Sequence, residues 1–471
     1  MSIATDIIYG KEPNIKAVKA NGETLDDIDE FGFTPLIESI IANRQEVTAQ
    51  LLDAGAQINV PDVTGRTPLH WAVYNSNLEI TKYLLGRGAN PNAYTSDGLS
   101  ILVYPVLRRN NPLKHVLFQH GAKLEFALDF IHTKLLGHRF SLKGSVDILN
   151  AKGDFIEIDY EGFILEFTVA LVKDALYRFI SSFSTRHLRP SFKYIYPIID
   201  AFEEASHLLA LQHVRNFNAK QEDFLQSVLA SPLLILPAAS RGHAMGFLRF
   251  GSWWAKIDRG ENSKYEDSVN IYKITNPEAL NTDFLQAFLF KRQPRSFFHK
   301  TINKILGLMP IAKLPIEAQT VGNCSWANIQ AIIPAAYYIQ QLANEAKKDP
   351  APAMNFFNLF ISWDQDRALE ECIQRFYHAS FARKASLAAA LAGVLFQACD
   401  AIKQHDLERA EKILTIVGLP EYEYILRSYY EEYCIKRLTR KGNNLLKLLD
   451  DCGINPNIGV TPIATGLKNS K

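Results

Sequence analysis

Apolar residues in the first quarter of the chain fall in helical clusters that break at regular intervals. Leu51-Leu52 and Leu84-Leu85 each close a stretch with apolar positions three and four apart, and Gly55-Ala56 and Gly88-Ala89 follow them. Gly121-Ala122 continues that series, and Gly32, Gly65 and Gly98 form another, both with a spacing of 33. Beyond Leu124 the period disappears. Asp154-Phe155-Ile156-Glu157-Ile158-Asp159-Tyr160 alternates, which predicts a half-buried strand, and Phe163 to Leu171 predicts a second. Residues 195–230 return to helical spacing, with Phe202, Leu208, Leu209 and Val214 on one face. Strand-like runs follow at Leu233 to Leu236, His243 to Phe250, Trp253 to Ile257 and Val269 to Ile274, with Gly251-Ser252 as a hairpin turn. Helix resumes over 325–345, and residues 376–471 read as helical throughout. Strands and helices segregated in this way predict an α+β region.

The 33-residue series carries a recognisable text. Thr34-Pro35-Leu36 recurs as Thr67-Pro68-Leu69-His70-Trp71-Ala72, then decays to Ser100-Ile101-Leu102. Threonine caps a helix, and proline takes a first-turn position whose N–H has no intrahelical partner. The Gly after the paired leucines accepts the left-handed conformation that ends a helix. This pattern resembles the ankyrin repeat, whose period is ~33 and whose signature is T-P-L-H-x-A. It predicts an all-α ankyrin solenoid over 1–125, with 1–26 as a truncated cap in which Gly22 aligns with Gly55 and Leu25 with Ile58. His70 then belongs to the repeat as a structural residue.

The resemblance implies protein binding on the concave face and hairpin tips, and no catalysis in the array. Asn59 and Asn92 stand eight residues after Leu51 and Leu84, which resembles the position that asparaginyl hydroxylases modify in many ankyrin proteins. Asparagine is also favoured in such turns for its local hydrogen bonds. Pro105 and Arg108-Arg109-Asn110-Asn111-Pro112 interrupt the third repeat. They read either as an irregular helix–helix turn, with the helix restarting near Leu113, or as a protruding loop that binds a partner.

Candidate chemistry lies in two motifs. Gln319-Thr320-Val321-Gly322-Asn323-Cys324-Ser325-Trp326-Ala327-Asn328 delivers a cysteine onto the start of a helix. There the positive end of the dipole favours thiolate, and unpaired N–H groups can hold an oxyanion. Gln319 can add a second donor. Ser240-Arg241-Gly242-His243-Ala244 enters a strand, and Asp258 ends the paired one. His243 lies eight residues before the Gly251-Ser252 turn and Asp258 six after it, so the two can meet across the ladder. Both motifs resemble papain-like thiol hydrolases. That likeness implies Cys324 as nucleophile, His243 as base, Asp258 as its orienting carboxylate and Gln319 as oxyanion donor. Here the chain order is His, Asp, Cys, which corresponds to a circularly permuted form of that fold, since triads are defined by geometry and not order.

Composition narrows the rest. The 471 residues predict two to four domains. With 51 Lys+Arg against 50 Asp+Glu there is no global field to attract nucleic acid. Hydrophobic residues make up 47% of the chain, enough for ordinary buried cores. Five widely spaced cysteines (Cys324, Cys372, Cys399, Cys434 and Cys452) form neither a disulfide framework nor a CxxC metal pair, which predicts a reducing compartment. Met1-Ser2-Ile3-Ala4-Thr5-Asp6 does not read as a secretory signal. The most apolar run, between Lys384 and Asp400, is short of the ~20 residues of a membrane span. No metal or cofactor fingerprint (HExxH, P-loop or G-x-G-x-x-G) occurs, so no cofactor and no metal is expected.

Leu445 to Asn457 copies the end of an ankyrin repeat, and Gly459-Val460-Thr461-Pro462-Ile463 the start of another, with Thr465 to Lys471 as a frayed tail. The chain therefore reads as an ankyrin array (1–125), a papain-like cysteine hydrolase-like domain (126–375) and a helical, degenerate ankyrin-like segment (376–471). That combination resembles the ankyrin-repeat effectors that Legionella injects into host cells by type IV secretion. The resemblance implies a bacterial protein acting in host cytosol or nucleus, a host protein as partner, and a Cys-His-Asp hydrolase (protease or deubiquitinase-like). A non-catalytic ankyrin scaffold or inhibitor of a host complex, carrying a dead thiol-protease fold, is the alternative, and acyl transfer by the same triad a third. Oligomeric state is not readable.

Overall fold

In the computed structural model the described residues are 3–15, 18, 24–211, 219–240, 242–260, 266–291, 293–319, 321–345 and 348–454. Gly22, Val214, Arg241, Thr320 and the repeat-like stretch from Asn455 onward lie outside them. The fold is mostly helical with two small sheets, and it divides into two compact units, residues 1–138 with 143–364 and residues 139–142 with 365–471.

After a short helix, Ile3–Ile8, three helix pairs follow in the first unit: Pro35–Ile41 with Gln45–Asp53, Pro68–Tyr74 with Leu78–Gly86, and Val103–Leu107 with Asn111–Gln119. Their ends follow from the repeated residues. Thr34 accepts from the Ile37 N–H at 3.2 Å. Thr67 and His70 form a reciprocal cap, the His70 Nδ1 accepting from the Thr67 N–H at 3.1 Å. Each second helix runs into a left-handed glycine, at Gly55, Gly88 and Gly121, where a side chain would be strained. The same register governs the turn inside each pair, where Asn43, Ser76 and Arg109 all have φ near +54° to +55°.

The α+β part of the unit carries a two-stranded hairpin, β1 (Ser145–Leu149) and β2 (Phe155–Asp159). Its second sheet is antiparallel in the order β3 (Leu233–Ser240), β4 (His243–Phe250), β5 (Trp253–Ile257), β6 (Val269–Ile274) and β7 (Leu308–Lys313). The expected strands at 154–160 and from 233 to 274 match this sheet and hairpin. The stretch 163–171 does not: Leu165–Ser181 is a helix. Its buried positions (Phe167, Val172, Leu176, Phe179) recur at helical spacing over a length no strand would have, so amphipathic packing overrides the β-branched composition. The strands β1 and β7 were not foreseen; Pro310 sits in β7, tolerated because β7 is a sheet edge.

Against β4 lies the helix Cys324–Glu345, buried on nearly every side from Ser325 to Gln341. Its approach is close because position 246 is glycine: a Cβ there would meet Ile332 at 2.9 Å. One apolar core runs without a break from the array (Leu84, Tyr104, Leu113) into these elements (Phe167, Leu248, Ile329). The second unit contains the helices Phe381–Ala398, Gln404–Val417, Glu423–Tyr429 and Arg440–Asp451. The apolar run between Lys384 and Asp400 forms most of the first of these. Among the described residues no helix is long and apolar enough to cross a membrane.

Candidate active site

The geometry of the two motifs follows from three chain features. Gly242, at φ +79°, makes the tight turn that pairs Ser240 with His243 and opens β4 on the histidine. In the β4–β5 ladder Gly246 faces Ile257, so Asp258, one residue past β5, comes up beside His243. Asn323 then starts the helix that begins with Cys324, its carbonyl accepting from the N–H groups of Trp326 and Ala327 at 2.9 and 3.0 Å.

These features bring the three side chains together. His243 Nε2 lies 2.7 Å from Asp258 Oδ1. That leaves Nδ1 to face the sulfur of Cys324, which interacts with the same imidazole and donates to the Gly242 carbonyl at 3.8 Å. The Ala244 N–H donates to Cys324 Sγ at 3.4 Å, and the Ser325 N–H also points at it. Asp258 is 3% exposed and receives the Gly260 N–H on Oδ1 at 3.0 Å. Its other oxygen lies 3.4 Å from His299 Nε2, and His299 Nδ1 lies 3.4 Å from the Nζ of the buried Lys256. Lys256 in turn pairs with Glu266.

Electrostatics follow the contacts. The bond to Asp258, then that to Cys324, raises His243 to about 9, against the pull of burial. Burial pushes the Cys324 thiol up, but His243 and the N–H groups of Ala244 and Ser325 outweigh it and hold the thiol below its ordinary range. Burial likewise opposes ionisation of Asp258, and His243 overcomes it. The other four cysteines go the opposite way: burial drives Cys372 and Cys399 up to about 12 and raises Cys434 and Cys452. The arrangement can therefore hold a thiolate beside an imidazolium, which is a nucleophile with a proton donor.

Gln319 is placed by its backbone: its N–H donates to the Arg259 carbonyl at 2.8 Å, next to Asp258. Its side-chain oxygen is buried without a hydrogen-bond partner. Among the described residues no cluster of His, Cys, Asp and Glu has the form of a metal site.

All but one of the array residues singled out by sequence are engaged with the chain itself. Asn59 accepts from the Asn90 N–H at 2.9 Å, and Asn92 accepts from the Lys123 N–H at 2.8 Å and donates to the Gly121 carbonyl at 2.9 Å. Each ties its turn to the next repeat. Arg108 is no protruding residue: it makes a two-pronged pair with Glu166 at 2.9 and 3.0 Å and lies against the rings of Tyr74, Tyr104 and Phe167. Asn110 caps the helix Asn111–Gln119 through the Leu113 N–H at 3.2 Å. Arg109 is exposed and pairs with Asp174 at 2.7 Å, and Asn111 is exposed.

Sequence reasoning missed Asn328, Gly260, His299 and Lys256. The first had a usable signal, since it follows Cys324 by four residues and so shares its helix face. The others come from loops and a strand whose convergence no spacing records.

A family model for ankyrin repeats, in three copies, matches residues 3–95. The solved structure described as that of the Legionella effector AnkH is 60% identical to this chain. The match covers 98% of this chain and 100% of that one, with a TM-score of 0.86. No curated protein matches the chain.

Proposed function

We propose a function from the premise that the chain belongs to the family of the Legionella effector AnkH: it is a cysteine hydrolase that acts inside a host cell, in cytosol or nucleus, on a protein selected by its ankyrin array. The observation that carries this reading is the contrast among its thiols. Cys324 alone is held below the ordinary range, by the neighbouring imidazole that Asp258 fixes from behind and by the Ala244 N–H on its sulfur, while burial raises the other four.

In the proposed reaction the Cys324 thiolate adds to a carbonyl carbon, forming the S–C bond as the π pair moves to oxygen. The N–H of Cys324 and the amide of Gln319 receive that oxyanion. The His243 imidazolium passes its proton to the leaving amine as the C–N bond breaks, and a thioester remains. Neutral His243 then takes a proton from water, whose oxygen attacks the thioester. Loss of the sulfur releases a carboxylate and restores the thiolate–imidazolium pair. Asp258 keeps Nε2 occupied throughout, so Nδ1 does the proton transfers.

The test is alkylation by iodoacetamide at pH 6.5, read at each cysteine by peptide mass spectrometry. Cys324 should label far faster than Cys372, Cys399, Cys434 or Cys452, and His243→Ala should slow it. A Cys324 that labels no faster than the rest sinks the hydrolase reading and leaves protein binding by the array as the function.

A further inference from the structure

Asn328 occupies a position that a helix rarely gives to asparagine. It lies in the interior of Cys324–Glu345, is fully buried, and has a side chain that competes with the helix for hydrogen bonds. A buried carboxamide is costly unless its polar atoms are satisfied. Here both ends are used. The Arg259 N–H donates to Oδ1 at 2.7 Å, and Nδ2 donates to the Ala244 carbonyl at 2.6 Å. The orientation is unambiguous, because flipping the amide would set donor against donor and acceptor against acceptor.

The two partners are the residues that follow His243 and Asp258. Ala244 has its N–H on the Cys324 sulfur and its carbonyl on Asn328, so both of its backbone groups are bound to the nucleophile helix, one turn apart. Arg259 has its N–H on Asn328 and its carbonyl on the Gln319 N–H. Its guanidinium adds bonds to the Glu317 and Ala327 carbonyls at 2.9 and 3.5 Å. Asn328 thus bonds both the segment that carries the imidazole and the segment that carries the carboxylate to the helix that carries the thiol.

We propose that Asn328 is a positioning residue for the thiol site: its amide fixes the separation of Cys324 from the His243–Asp258 pair. This deepens the hydrolase reading above and rests on it. The carboxamide touches no reacting atom. Its role is to hold β4 and the end of β5 at one height along the helix, so that the His243 ring meets the sulfur in line. Losing it should let the segments slide by a fraction of an ångström, which weakens the Cys324–His243 bond while leaving the surrounding apolar packing in place.

The experiment is the pH profile of Cys324 alkylation by iodoacetamide on the full chain, with circular dichroism and thermal melting to establish the fold. In the wild type the acid limb should lie below the ~8.5 of an ordinary thiol. Asn328→Ala should move it up by about one unit, a loss of about tenfold in labelling below the limb. Asn328→Ser, the milder change, carries the test if the alanine variant does not fold. In a His243→Ala background the second substitution should produce a clearly smaller shift, since most of its effect passes through the imidazole and only the remainder through the Ala244 N–H on the sulfur. A wild-type profile like that of an ordinary thiol overturns the hydrolase reading and this one together. An acid-shifted wild-type profile that folded Asn328 variants leave in place overturns this one alone. So does an undiminished shift in the His243→Ala background, which would mark general loosening.

Discussion

Gly260→Ala is the smallest change that should separate His243 from Asp258. Gly260 does not occupy the left-handed region, so alanine suits its backbone and the effect is steric alone. A Cβ at 260 would stand 2.3 Å from His243 Cε1, 3.0 Å from Nε2 and 3.2 Å from Asp258 Oδ1. It would form a wedge across the bond. Asp258 is pinned by burial, whereas the His243 side chain is 18% exposed and can give way. Restoring an ordinary contact of about 3.4 Å needs roughly 1 Å of withdrawal, which stretches the 2.7 Å Nε2–Oδ1 bond to about 3.7 Å, beyond hydrogen-bonding range. That bond is the largest cause of the rise of His243 from 6.5 to about 9. At 1.36 kcal/mol per unit the whole rise represents on the order of 3 kcal/mol, shared with Cys324. Without it the imidazolium loses its hold near neutrality, and the thiol drifts towards ~8.5. Alkylation of Cys324 at pH 6 should fall at least tenfold, with the melting temperature little changed. A folded Gly260→Ala variant with the wild-type profile would refute the reasoning.

Three other outcomes follow from the same contacts. Arg108→Ala leaves the half-buried Glu166 carboxylate without its two-pronged partner and should cost about 2–3 kcal/mol in urea unfolding, whereas Arg109→Ala, at an exposed pair, should cost under about 1 kcal/mol; equal losses would contradict this ranking. Burial lowers His70 to about 4, so between pH 6.5 and 4 the unfolded chain binds a proton that the folded one excludes. Stability should therefore fall as pH drops through that window, by up to about 3 kcal/mol, and His70→Gln should flatten the slope. Any hydrolase activity should decline at high pH with an alkaline limb near 9, as His243 loses the proton it donates, and Asp258→Asn should bring that limb down; an unmoved limb would mean another group supplies the proton.

The array was the legible part of the chain, because each repeat residue acts locally. A threonine cap, a first-turn proline and a left-handed glycine depend on neighbours a few positions away, and the period of 33 records them three times over. Cys324, His243 and Asp258 were legible for a related reason: a helix start and a hairpin turn are local features, and the hairpin register carries His243 to Asp258. Three things were not legible. Phe163 to Leu171 has strand-like composition, and only the length of its buried stripe, visible beyond residue 171, marks a helix. Lys256, His299 and Glu266 meet because β5 and the residues before β7 fold against each other, a convergence that leaves no trace in spacing. Arg108 looked like a loop residue because its partner, Glu166, is 58 residues away.

The Arg108 contact changes how the array relates to the thiol region. Tyr74, Tyr104 and Phe167 form a run of ring contacts at 5.1 and 5.7 Å, with the Arg108 guanidinium beside all three rings. The helix Leu165–Ser181 thus packs against Tyr104, in the first helix of the third pair, with Arg108 linking it to Tyr74 in the pair before. A second tie runs from the array to the nucleophile loop. Asn92 anchors Lys123 at the start of the helix Leu124–Phe140, and Lys134 on that helix holds the Glu161 carbonyl at 2.6 Å. The next residue, Gly162, donates to the Gly322 carbonyl at 3.1 Å, two residues before Cys324. A Cβ at Gly322 would meet the carboxylate of the exposed Glu161 at 2.3 Å, so that side chain would have to swing aside. Lys134 is buried, so its bond to Glu161 is expensive to break and cheap to keep. A chain of hydrogen bonds therefore links the turn after the second repeat, through Lys123, Lys134 and Glu161-Gly162, to the loop that leads into Cys324.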